Sequence, residues 1–77
     1  MARSKPLEMI FRPVEGIWKN VAGDSATLAD VLTGLNLIID DKCEFARFKD
    51  YENNLSIWYR AEAMKITITI WQMQYEN

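Results

Sequence analysis

Ile66-Thr67-Ile68-Thr69-Ile70 is the stretch that decides the fold. Both residue types are β-branched, which stiffens the side chain and favours pleated backbone, and their strict alternation predicts a strand. One face of that strand is apolar and the other wettable, so it needs cover on a single side. Trp71 and Met73 extend the threonine row toward the C-terminus.

Working backward, the same period of two recurs. Leu55, Ile57, Tyr59 and Ala61 share one face of a second strand, and Ser56, Trp58, Arg60 and Glu62 share the other. A turn around Glu62 to Lys65 joins the two. Glu52-Asn53-Asn54 supplies turn chemistry before Leu55, and Cys43 to Tyr51 reads as a third strand, so residues 43 to 73 form an antiparallel meander. The last strand has two places open to it. With no Pro and no Lys after Lys65 it suits a sheet edge that pairs with another chain, or it lies centrally beside residues 7 to 11.

Farther upstream, Leu7, Met9 and Phe11 alternate in a strand that Pro13 stops, which places it near an edge. Val14, Ile17, Trp18 and Val21 then fall at helical spacing, with Pro13 suited to a first helical position and Gly23 to a C-terminal cap. We read residues 13 to 22 as a short helix, with a strand through Ile17 to Val21 after a turn at Pro13 to Gly16 as the rival. The clearest helical stripe is Leu28, Val31, Leu32 and Leu35, with Asp24 or Ser25 as N-cap. Ile38 and Ile39 continue it, so the helix is expected to run past Gly34; if Gly34 is instead the C-cap, Leu35, Leu37 and Ile39 alternate as a strand.

The expected fold is a single two-layer α+β domain over residues 1–77, with residues 1–6 a flexible lead-in. One or two helices pack on an antiparallel sheet of three to four strands, in β-α-α-β-β-β or β-β-α-β-β-β order. A chain of 77 residues has little surplus stability, and one cysteine with no histidine denies it an internal disulfide or a His-bearing zinc site. Self-association is the remaining device, so a homodimer is expected.

The same absences bear on function. With 0 His and 1 Cys, the side chains that carry most acid-base, nucleophilic and metal chemistry near neutral pH are nearly missing, and no phosphate-binding glycine loop, GxSxG or CxxC occurs. We expect no enzyme, no cofactor and no metal. Asp40, Asp41 and Glu44 resemble a carboxylate cluster but lack a calcium-loop pattern and read as a solvated connection. Cys43 reads as a small apolar residue rather than a reactive thiol. A net charge of -2 with dispersed basic residues argues against a duplex-binding protein, though not against a small local groove, and makes nucleic acid the lesser expectation as a partner. No apolar run follows the basic N-terminal residues, so neither a signal peptide nor a membrane span is expected, and the protein reads as cytoplasmic.

What remains is a binding role on the face opposite the isoleucines. Trp58, Trp71, Met73, Tyr75 and Phe48 are expected there among Ser56, Thr67, Thr69, Arg60 and Glu62. Exposed aromatic and methionine patches mark interaction sites, and Trp, Tyr and Arg dominate interface energetics. The expected function is a small inhibitor, adaptor or regulator that occupies another protein's surface through Trp58, Tyr59, Arg60, Trp71 and Met73. The plain alternative is that another segment covers this face. A second functional reading is single-stranded nucleic acid stacked on the same aromatics beside Arg47, Arg60 and Lys65.

Overall fold

The computed structural model describes residues 5–73. The elements are β1 (Leu7–Val14), β2 (Ile17–Asn20), α1 (Leu28–Gly34), β3 (Phe45–Asp50), β4 (Leu55–Glu62) and β5 (Lys65–Gln72). All strand pairs are antiparallel, and the sheet runs β2-β1-β5-β4-β3. The two-layer α+β class holds, with five strands instead of three or four and one short helix. The meander of β3, β4 and β5 stands as read.

Strand β5 is central, which removes it as a candidate for edge pairing. It is hydrogen-bonded along Ile66–Ile70 to β1 and along its full length to β4. The strand with the highest β-propensity takes the position buried on both lateral sides, because there each backbone group finds a ladder partner. Its partner β1 is likewise interior. Strand β1 also runs through Pro13: β5 ends opposite Phe11 and β2 pairs from Phe11 onward, so Pro13 lies where β5 is no longer alongside.

Residues 13 to 22 do not form a helix. Glu15 and Gly16 both have positive φ, 53° and 81°, the two-residue turn whose twist suits a β-hairpin. The hairpin turns Trp18 inward against the core and leaves Val14 and Ile17 exposed on the other face. Helical spacing and a tight hairpin are indistinguishable here until the turn residues are placed. The far side of β2 is closed by a bridge between Lys19 and Thr27 and by the Asn20 N–H donating to the Ala26 carbonyl at 2.8 Å.

The helix is shorter than its apolar stripe. Thr27 is the N-cap, its hydroxyl accepting from the Asp30 N–H at 3.1 Å, while Asp24 instead closes a turn by accepting from the Ala26 N–H. The stop is Asn36, not Gly34. Asn36 is left-handed at φ 59°, its N–H donates to the Thr33 carbonyl, and the Leu37 N–H donates to the Leu32 carbonyl at 2.9 Å. That pair of bonds is a Schellman motif with asparagine in the position usually held by glycine. Beyond it Leu35, Leu37 and Ile39 are half-buried against the core as irregular chain, and Ile38 is 97% exposed.

The core is Phe11, Ile57, Tyr59, Ile66 and Ile68, roofed by half-buried Leu28, Val31 and Leu32 of α1. No helix residue is itself buried, so the helix is a partial lid on one side of the sheet.

The cap assignment is testable by denaturation. Gly34 is helical with nothing within 4 Å of an added Cβ, so Gly34→Ala should stabilise by up to about 1 kcal/mol. Asn36→Val should destabilise by about 1–2 kcal/mol, since a β-branched residue is strained at positive φ. The reverse pattern would return the cap to Gly34.

Candidate functional site

The strand register sorts side chains onto two faces. Opposite the helix stand Phe45, Arg47 and Lys49 of β3, Ser56, Trp58, Arg60 and Glu62 of β4, and Lys65, Thr67, Thr69 and Trp71 of β5. Glu8, Ile10 and Arg12 of β1 and Lys19 of β2 continue this face. No helix or loop among the described residues lies over it. Phe45 is 52% exposed and Trp58 36% exposed.

At its centre is a stack of rings and a cation. Arg47 and Trp58 are cross-strand partners, and the guanidinium carbon lies 4.5 Å from the Trp58 ring centroid and 5.3 Å from that of Phe45. A cation over the negative face of a ring is attracted by its quadrupole. Trp58 and Trp71, one strand apart, meet with centroids 5.8 Å apart and planes tilted by 49°. The Trp58 indole N–H donates to the Ser56 hydroxyl at 3.2 Å, which orients the ring, whereas the Trp71 indole N–H is buried without a partner. Beside this stack lies an open groove of about 490 Å³, lined by Arg47, Trp58, Arg60, Lys65, Thr67 and Thr69 among others.

The charges are also sorted. Of the 8 Lys and Arg among the described residues, six stand on this face: Arg12, Lys19, Arg47, Lys49, Arg60 and Lys65. Glu8 and Glu62 are its two carboxylates; the other eight acidic side chains among the described residues lie off it. An acidic chain thus presents one basic surface, which a reading of dispersed charges along the sequence does not reveal.

The residues singled out from sequence divide. Trp58, Arg60 and Trp71 come together on the outer face. Met73 follows β5, half-buried and tied by its backbone to Asn54: its N–H donates to the Asn54 carbonyl, and its carbonyl accepts from the Asn54 side-chain amide at 2.8 Å. Tyr59 does not join them. It is 5% exposed in the core, because its parity is that of Ile57, and burial, then the neighbouring Cys43, pushes its phenol above 10.0. Phe48 also corrects inward, paired with Ile57 and packed on the core, while Phe45, three residues earlier and so of opposite parity, takes the outer position. Tyr75 lies outside the described residues. Lys49 and Phe45 were the missed members, and Arg47 was named only in the nucleic-acid reading; a one-residue ambiguity in the parity of residues 43 to 51 hid them.

The remaining candidates are engaged in local structure. Asp40 accepts from the Lys42 N–H at 2.8 Å in a turn, and the Cys43 thiol is half-buried and directed at the Phe45 carbonyl at 3.4 Å. Asp50 accepts from the side-chain amide and the backbone N–H of Asn53, which hold its carboxyl below the usual carboxylate range and close the β3–β4 turn. No helix among the described residues is long and apolar enough to cross a membrane. Comparison with protein-family models, curated proteins and solved structures finds no match to this chain.

The two faces should respond differently to truncation. Tyr59→Ala is expected to cost about 3 kcal/mol or more in chemical denaturation, as core aromatics do, and Trp58→Ala about 1 kcal/mol. The Tyr59 phenol favours its neutral form in the fold, so its share of stability is intact below pH 10 and is lost as pH rises from 10.0 toward its raised folded value. A spectrophotometric titration should show a late phenol that disappears in Tyr59→Phe.

Proposed function

We propose that this chain is a non-enzymatic binding module that works by holding a foreign macromolecule on its outer sheet face, as a small inhibitor, adaptor or regulator. The observation that carries this reading is the exposed stack of Arg47, Trp58 and Phe45, with half-buried Trp71 against Trp58. Aromatic rings and arginines are the groups that contribute most when a partner buries them. A cytoplasmic setting suits a chain whose single thiol has no internal disulfide partner.

Charge argues for a foreign partner over a second copy on this face. Face-to-face pairing of two chains would set six cations against the same six with only two carboxylates on each side to offset them. A partner bearing negative charge meets the face without that cost.

Three measurements test the reading together. The pure protein should be monomeric by light scattering at micromolar concentration. Trp58→Arg should keep the far-ultraviolet spectrum and the unfolding cooperativity of the parent. Capture from the native source should yield a partner with the parent chain and lose it with Arg47→Glu or Trp58→Arg. A collapsed Trp58→Arg variant, or capture indifferent to both substitutions, would overturn the proposal.

A further inference from the structure

Resting on that reading of the outer face, we infer that its partner is single-stranded nucleic acid, laid across the strands with bases against the aromatic stack and phosphates on the flanking cations. The juxtaposition is specific. Arg47 lies between Phe45 and Trp58, Trp71 touches Trp58 from the next strand, and Arg60 is the cross-strand neighbour of Phe45. Every base has a π-face, so rings interleaved with cations bind a single strand without reading its sequence. Five strands about 4.8 Å apart give a platform about 19 Å wide, and sheet platforms of this kind stack two or three bases. Ser56 lies between Lys49 and Trp71, Thr69 beside Trp58 and Thr67 beside Arg60, and their hydroxyls can both donate to and accept from base edges.

Net acidity of the chain does not oppose this. At physiological ionic strength a charge is felt over about 8 Å. Among the described residues eight carboxylates lie off the face and only Glu8 and Glu62 stand on it, beside the groove, so a strand on the outer face meets six cations against two carboxylates. A duplex is a poorer fit. Its bases are stacked inside and offer no π-face to Trp58 or Trp71.

An acidic protein surface is the competing occupant, and the experiment separates the two. Fluorescein-labelled oligo-dT and oligo-rU of about twelve nucleotides are titrated with the full chain at about 25 mM salt, beside a duplex of equal length and a polyglutamate peptide. The single strands should bind and quench tryptophan fluorescence; the duplex and the peptide should bind at least tenfold more weakly. With about four phosphates engaged, log K should fall against log salt with a slope of about −3, and Arg47→Glu or Lys49→Glu should make it shallower. Trp58→Ala should lose about tenfold in affinity with the slope retained, as expected of a stacking residue. Lys49 is fully on the surface, so its variant keeps the test valid should a Trp58 variant fail to fold.

Absence of single-strand binding at low salt, or equal affinity for polyglutamate, overturns the inference. If that occurs while Arg47-dependent capture of a protein persists, the nucleic-acid assignment falls and the docking face stands. If capture also ignores Arg47 and Trp58, both fall.

Discussion

The structure depends on the pairing of β5 on both of its sides. Ile66 and Ile68 are locked between Phe11 and Met9 of β1 and Ala61 and Tyr59 of β4, so one strand sets the parity of the whole sheet. Once that parity is set, every cross-strand neighbour inherits its face. Phe11, Ile57 and Tyr59 are drawn under the helix, and Thr67, Thr69 and Trp71 bring Trp58, Arg60 and Arg47 to the other side. A slip of one residue in β5 would exchange the core and the outer face.

The second constraint is the shortage of cover. A helix of seven residues, none of them buried, roofs only the middle of one face, and the irregular chain Leu35 to Ile39 completes that roof by alternating inward and outward. With the described chain used up in this way, the outer face has nothing to shield it but its own side chains. Arginine on tryptophan is the resulting arrangement: the guanidinium is weakly hydrated and planar, so it covers a ring while staying charged. The same contact that makes an uncovered sheet tolerable in water leaves a surface ready to exchange that cation for another planar group.

Charge sorting follows from strand parity as well. Arg47 and Lys49, or Arg60 beside Glu62, look dispersed in a linear reading, because a residue of opposite face separates each pair. Folding halves the spacing by discarding alternate residues and then brings five strands together. Six of the 8 basic side chains among the described residues end on one side of a chain whose net charge is -2. An average over the sequence carries no information on this, since electrostatics acts over the Debye length and not along the chain.

Much was legible beforehand, and what failed did so for identifiable reasons. The three C-terminal strands, the faces of β4 and β5 and the apolar stripe of α1 followed from period and residue type, which are local properties of the backbone. Three features were not local. Glu15 and Gly16 adopt positive φ because β1 and β2 are held side by side, and the spacing of Val14, Ile17 and Trp18 fits a helix equally well. Asn36, not Gly34, ends the helix because Leu37 must turn back onto the core. Strand β5 is central because a segment more than fifty residues earlier pairs with its free side. The sequence by itself determined the three C-terminal strands, the two faces of β4 and β5 and the poverty of catalytic side chains; only tertiary structure decided the hairpin of β1 and β2, the parity of β3, strand order, where the helix stops and which face carries the cations. Periodicity is written in adjacent residues, whereas order and charge clustering arise from contacts between residues far apart in the chain.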